Sequence, residues 1–418
     1  MSHVQLIYFN AGGGHRAAAQ ALAQALGASA RPWRVQTLNL IDLLDPQGRF
    51  RRLTGMQPED LYNARLASGF TLGLGQELKL LQAGIRLAHG TMLQRLAAHW
   101  RATQPDLVVS LIPNFNRVLG DSLAQARPDG GVPFVTVMTD LADHPPHFWA
   151  EPGTAQHLVC GTPQAVQQAL AAGLPAARVH AVSGMLLRPA FHAPPPPGFD
   201  RAAARVALGL PATQPVGLVL FGGAGSRVMK TIAQRLPCAP LVLMCGRNAA
   251  LARSLRALPA TATKSAPRVV VEYTPDVQHW MRLADYFIGK PGPGSLSEAV
   301  QMGLPVIVTR NAGTMPQERF NTDWVQQTGT GVVLRRFADI AAGVAQLQRH
   351  WDAHQAAVKA VHNRALFEVP ALLAALLDGR RPPPSAGLTG QRPGELQDEW
   401  PVTSARNEAP AEPEPSPA

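Results

Sequence analysis

Short apolar runs alternate along this chain with glycine-rich turns and with segments of helical period. Val4–Phe9, Leu107–Leu111, Phe134–Met138, Val179–Val182, Val216–Phe221, Val269–Thr274, Tyr286–Ile288 and Val306–Val308 are runs of this kind. Strands buried on both faces of a parallel sheet read this way, because neither face alternates with polar residues. Between them lie helix-forming stretches, such as the alanine-rich segment from Arg16 to Leu26, which leads to a further strand over Val35–Ile41. Strands alternating with helices predict an α/β fold.

One unit occurs twice. Val4–Phe9 runs into Asn10-Ala11-Gly12-Gly13-Gly14-His15 and a helix, and Val216–Phe221 runs into Gly222-Gly223-Ala224-Gly225-Ser226 and a helix from about Arg227. This repetition of strand, glycine loop and helix predicts two Rossmann-like domains, over residues 1–190 and 200–380. Four consecutive prolines, Pro194 to Pro197, form a stiff spacer at the boundary. Residues 381–418 are proline-rich and acidic, and such a tail buries too little apolar surface to order itself.

From Gln76 to Trp100 the apolar positions Leu78, Leu81, Ile85, Ala88, Met92 and Leu96 fall on one helical stripe, with Lys79, Arg86 and Arg95 off it. Such a helix either packs on the core or lies at a membrane interface.

At 418 residues, 46% hydrophobic and 16% charged, the chain has the length for two cores and the composition of a globular protein. Its net charge of +10 is uneven: +4 over residues 1–190, +9 over 191–380 and −3 over 381–418. A basic body suits nucleotide phosphates or anionic lipid headgroups. No basic run interleaved with aromatics occurs, which argues against nucleic acid. The three cysteines form no C-x-x-C pair, which predicts a reducing compartment without structural zinc. No apolar run has the length of a bilayer span or the form of a signal segment, so the expected location is the cytoplasm.

The densest chemistry lies in Leu283–Thr309. Lys290-Pro291-Gly292-Pro293-Gly294 separates a strand from a helix expected to open at Ser295 and end at Gly303. A helix N-terminus under a bare loop offers unpaired N–H groups and the positive end of the helix dipole to a phosphate. Glu298 has two readings: the partner of Ser295 in a capping box, or a carboxylate that accepts ribose hydroxyls. Gly222, Gly223, Gly225 and Ser226 either cradle a diphosphate or make a plain tight turn. In the first half, Gly12, Gly14 and Ala17 satisfy a dinucleotide fingerprint with Asp42 as its acid, which admits a nicotinamide-dependent enzyme. His15 is either a solvated first-turn histidine or a general base at the carboxyl edge of the sheet. Asp140, after the Phe134–Met138 run, either orients His15 or caps the segment beyond it. His144 and His147 flank two prolines beside Asp143, and without a third ligand at a recognised spacing they predict no metal site.

The run K-P-G-P-G-S-L-S-E-A-x-x-x-G-L-P, followed by Pro316-Gln317-Glu318-x-x-Asn321, resembles the donor-sugar motif of the monogalactosyldiacylglycerol synthase and processive diacylglycerol glucosyltransferase family. Asn10–Ala19, the T-D-L-A-D-H-P-P-H-F-W stretch from Thr139 to Trp149 and Phe221–Ser226 extend the resemblance. It implies a GT-B fold, two Rossmann-like domains facing across a cleft, and a metal-independent transferase that inverts configuration. In the implied site, Glu298 holds the ribose of UDP, and Gln317, Glu318 and Asn321 lie at the sugar. Gly222, Gly223, Gly225, Ser226, Lys290, Gly292, Gly294 and Ser295 surround the phosphates, and Tyr273 and Thr274 the uracil. His15 is the implied base, assisted by Asp140, with Gly13, Gly14, Asn114 and His144 on the acceptor side. The implied partners are a UDP-hexose donor, a lipid acceptor, most simply diacylglycerol, and the inner face of the cell membrane; no cofactor is implied. A transferase with a polyprenyl-linked or soluble acceptor, or a UDP-sugar epimerase of the same architecture, is the alternative that the donor motif leaves open.

Overall fold

The computed structural model describes residues 1–10, 13–55, 74–259, 265–380 and 382. Its strands form two parallel six-stranded sheets. The first comprises β1 (Ser2–Tyr8), β2 (Trp33–Asn39), β3 (Leu107–Ser110), β4 (Phe134–Val137), β5 (Gln156–Cys160) and β6 (Val179–Ala181), in the order β2-β1-β3-β4-β5-β6. The second comprises β7 (Gly217–Leu220), β8 (Leu241–Met244), β9 (Arg268–Val271), β10 (Tyr286–Gly289), β11 (Val306–Thr309) and β12 (Gly331–Leu334), in the order β12-β11-β10-β7-β8-β9. Both orders reverse direction once, between β1 and β3 in the first sheet and between β7 and β10 in the second. Helices on either side of a reversal diverge and leave a crevice at the carboxyl ends of the strands, where ligands bind in open α/β sheets. The loops after β1, β3, β7 and β10 carry candidate residues, and others follow β4, β9 and β11.

Burial follows the sequence pattern. β3, β4, β7, β8, β10 and β11 are buried at every position. The helix Gly14–Gly27 covers β1 with Ala18, Ala19, Ala21, Leu22, Ala25 and Leu26. Small alanines let it lie close to the strand, and each buried leucine stabilises the packing by roughly 1.5–3 kcal/mol.

Several expectations are corrected. The stripe from Gln76 to Trp100 is carried by two helices, Leu74–Leu87 and His89–Thr103, which break at Ala88. The break shifts the helical phase, so Met92 and Leu96 are buried while Leu81 is 49% exposed and Leu87 90% exposed. The helix after β10 is Pro293–Gln301 and begins before Ser295, because proline is pre-set for the first helical position. Residues 200–380 do not pack as one unit. The helix Ala365–Leu377 returns to the first core, where Ala365, Leu366, Val369, Leu372 and Leu373 join Val4, Leu6, Leu22 and Leu107. Ser183 N and Oγ donate to Glu368 Oε2 at 2.7 and 2.9 Å, and Asn363 Nδ2 donates to the Met185 carbonyl at 2.9 Å, pinning the crossing. The stretch Trp351–Leu377 has the length and apolar composition of a membrane span, but it is interrupted between Ala360 and Ala365 and its second helix is a core element. The proline-rich tail, apart from residue 382, lies outside the described residues, as do Ala11, Gly12 and residues 56–73.

Candidate functional site

The segment from Thr139 to Trp149, just past the end of β4, joins the two halves. Leu141 and Ala142 are buried in a core otherwise built around the second sheet, with Leu218, Phe287 and Leu296. Thr139 Oγ1 lies 2.9 Å from His15 Nδ1. Asp140 Oδ2 accepts from Trp149 Nε1 at 3.0 Å, and the Trp149 ring lies 6.1 Å from the His15 ring. Asp143 closes the turn by accepting from Trp149 N at 2.7 Å. The fully buried Trp149 is held from behind, where its carbonyl accepts from Asn116 Nδ2 and Gln156 Nε2.

His15, in the first turn of its helix, is held well below the usual histidine range, at about 4, by burial; the Leu111 carbonyl pulls the other way. The ring is therefore neutral at pH 7 and keeps a lone pair. Asp140 makes its hydrogen bond to Trp149 instead. Burial raises the Asp140 carboxyl to about 7, and Glu318 and Asp143 add to this, while Trp149 and Lys290 oppose it. Glu318 and Lys290 belong to the second half, so Asp140 senses charges across the junction. Of the acceptor-side candidates, Asn114 has a positive φ of 65° and binds Gln82, and His144 contacts Gln168. Gly13 takes φ 82° where the helix begins.

On the second half, Lys290 Nζ pairs with the buried Glu318 Oε1 at 2.8 Å. Gly292 lies against this pair: a Cβ there would stand 3.2 Å from Lys290 Cε and 3.5 Å from Glu318 Oε1. Asn321 Nδ2 donates to the Pro291 carbonyl at 2.7 Å, and this bond ties the helix Pro316–Thr328 to the loop. Asn321 therefore acts on the loop's shape from a buried position. Gln317 is only half-buried, within reach of Met315 Sδ.

The helix Pro293–Gln301 has Gly292 as its cap and no side-chain capping bond, which removes the capping-box reading of Ser295 and Glu298. The amides of Gly294 and Ser295 have no hydrogen-bond partner among the described residues. Glu298 lies a turn deeper, half-buried and without a hydrogen-bond partner among those residues. Burial lifts its carboxyl to about 7, with Arg188 the opposing charge. An unpaired carboxylate in such a place is a group awaiting a donor. Arg188 also donates to the Pro275 carbonyl at 2.8 Å and stacks on Phe191.

The glycine loop after β7 is braced by the turn after β8. Arg247 N donates to the Gly223 carbonyl at 2.7 Å, and Asn248 Nδ2 to the Ala224 carbonyl at 3.1 Å. Gly225 has φ 61°, and a Cβ there would lie 2.8 Å from the Cys245 carbonyl oxygen, so no other residue fits. The amides of Gly223, Ala224 and Ser226 have no partner among the described residues. Tyr273, 56% exposed, is covered on one face by Arg247, 4.5 Å from the ring centroid. Thr274 Oγ1 accepts from Asp276 N at 3.0 Å. Asp42 lies inside the helix Leu40–Leu44 rather than at the tip of β2, where a dinucleotide-binding acid belongs.

Thr139, Trp149, Arg188 and Arg247 neighbour the candidate residues His15, Asp140, Glu298 and Tyr273, and sequence reasoning misses them. Thr139 and Trp149 bound the T-D-L…W stretch, but which of its polar residues meets His15 depends on how the chain leaves β4.

Residues 15–184 match the family model described as monogalactosyldiacylglycerol (MGDG) synthase. A probable MGDG synthase of Glycine max is 27% identical over 374 residues, covering 82% of this chain and 64% of the relative. MGDG synthase 3 of Arabidopsis thaliana is 28% identical over 277 residues, covering 62% and 57%. The chain thus spans less than two thirds of the length of these curated relatives. Among solved structures, MurG of Acinetobacter baumannii aligns with a TM-score of 0.54 at 13% identity, covering 90% of this chain and 99% of that one. The glycosyltransferase SnogD of Streptomyces nogalater gives 0.54 at 20%, covering 90% and 100%. A putative UDP-N-acetylglucosamine 2-epimerase of Listeria monocytogenes gives 0.56 at 14%, covering 92% and 98%. The architecture is GT-B.

Proposed function

We propose that the chain is a member of the monogalactosyldiacylglycerol synthase family, which its family-model match and its relatives support, and that it moves a hexose from a UDP-sugar to diacylglycerol at the inner face of the cell membrane. The observation that carries this reading is the meeting of the two halves at residues 139–142. One residue there contacts the neutral His15, and the next lies in the field of Lys290 and Glu318.

In this mechanism the second half holds the donor. Glu298 accepts the ribose hydroxyls, and the open amides of Gly223, Ala224, Ser226, Gly294 and Ser295 receive the diphosphate. Gln317 and Glu318 lie toward the sugar. His15 takes the proton of the acceptor hydroxyl as its oxygen bonds to the anomeric carbon. The bond from that carbon to the diphosphate oxygen breaks, and UDP leaves with the electron pair from the opposite face. A single displacement of this kind inverts the configuration. Prepositioned donors at the leaving oxygen are worth about 3 kcal/mol each in comparable sites. The proposed reaction uses no divalent ion, so EDTA is expected to leave the rate unchanged.

The exposed Phe50, Leu81 and Leu87, with Arg49, Arg51, Arg52 and Arg86 nearby in sequence, support a peripheral membrane contact on the first half. A second reading, a UDP-sugar epimerase, draws on the shared architecture with the Listeria protein. Incubation with UDP-glucose or UDP-galactose, with and without diacylglycerol, separates the two. Glycolipid and UDP formed only with diacylglycerol support transfer, whereas donor consumed without acceptor supports the epimerase.

A further inference from the structure

We infer that Thr139, rather than Asp140, orients His15, its hydroxyl accepting the imidazole Nδ1–H so that Nε2 is the basic nitrogen. Thr139 is buried, and its Oγ1 lies 2.9 Å from Nδ1 with no other hydrogen-bond partner among the described residues. Past the end of β4 the chain bends at Thr139 and Asp140, and their side chains find different partners. Thr139 goes to His15, and Asp140 goes to the Trp149 indole at 3.0 Å. The adjacent carboxylate, the residue type that usually orients a catalytic histidine, is thereby occupied elsewhere. A hydroxyl accepting there stabilises the imidazolium less than a carboxylate would, so the proton taken from the acceptor passes readily to solvent. The Leu111 carbonyl also interacts with the ring. The competing arrangement has Nε2–H donated to a carbonyl and Thr139 donating to Nδ1, which leaves no lone pair on Nε2.

This inference rests on His15 as the base, and the test separates the two ideas. Full-length protein is labelled with 15N-histidine, and the His15 signals are identified by their loss in H15Q. The 15N shifts then report the tautomer in wild type, T139V, T139S and D140N. Wild type, T139S and D140N are expected to show the Nδ1–H form, and T139V a mixture of tautomers. With dioleoylglycerol and whichever of UDP-glucose and UDP-galactose turns over, T139V is expected to lower kcat about 10- to 100-fold, less than the roughly 10²- to 10⁴-fold contribution of the general base itself. Its KM for donor should stay within about twofold, and T139S should recover kcat to within about threefold of wild type. A melting curve of T139V matching wild type excludes misfolding as the cause. An Nε2–H form in wild type overturns the assignment, as does a tautomer shift in D140N without one in T139V. An H15Q variant with the wild-type rate sinks the base reading instead, a separate outcome.

Discussion

The two switch-point crevices of this protein hold their polar groups in opposite ways. In the first half, polar groups are partnered within the protein: His15 by Thr139, Asp140 by Trp149, and Asn116 by Thr136 and two carbonyls. In the second half, the groups nearest the crevice are open. The amides of the glycine loop and of the helix Pro293–Gln301 lack partners among the described residues, and Glu298 is half-buried and unpaired there. A satisfied network defines one geometry for a side chain that acts, whereas open donors and acceptors are what a polar ligand binds to. The contrast fits the proposed function, with chemistry at the front and nucleotide recognition at the back.

The strongest way to break this comparison is His15→Ala. Transfer is expected to fall about 10²- to 10⁴-fold with UDP affinity unchanged, checked by product formation and calorimetry. A comparable loss of UDP binding would show that the front half also holds nucleotide.

Glu298→Gln is expected to weaken UDP binding about 10- to 100-fold, the size of one or two hydrogen bonds to a charged group. The same change should raise the melting temperature of the free protein at pH 8. A desolvated carboxyl with a pKa lifted to about 7 stabilises the fold only while protonated, and that contribution is lost as pH rises through 7. Loss of melting temperature with unchanged UDP affinity would return Glu298 to a structural role. Titration sharpens the same point. Ribose hydroxyls need the ionised carboxylate, so binding below pH 7 releases a proton, and affinity rises with pH through about 7 in wild type but less in E298Q.

Asn321→Ala is the smallest effect. The Pro291 carbonyl loses its buried donor, a loss of about 1–3 kcal/mol. Asn321 Oδ1 is itself buried without a partner among the described residues, so its removal offsets part of that. The net stability change, read by denaturant unfolding, is expected near about 1 kcal/mol, with UDP affinity falling because the loop is no longer held.

Much of this is legible from residues alone. Continuous apolar runs announce buried parallel strands, and each glycine loop sits where a strand turns into a helix. Gln156–Cys160, Leu241–Met244 and Gly331–Leu334 escape a reading as strands, since such short runs do not differ from buried helix segments by periodicity. The capping-box pattern at Ser295 misleads because Pro293, fixed in φ, starts the helix earlier. The last helix packs on the half opposite to the expected one because apolar composition states that a surface must be covered, not by what.

Local chemistry therefore determined which loops were bare, which helix ended in open amides, and which residue types were present to accept, donate or carry charge, since these follow from φ preferences and side-chain inventory within a few residues. Which groups meet was decided only by the fold: Thr139 rather than Asp140 at His15, Lys290 at Glu318, and the carboxyl-terminal helix on the opposite core. Those pairings join residues up to hundreds of positions apart, and a hydrogen bond of 2.9 Å depends on strand register and chain crossing that no local pattern encodes.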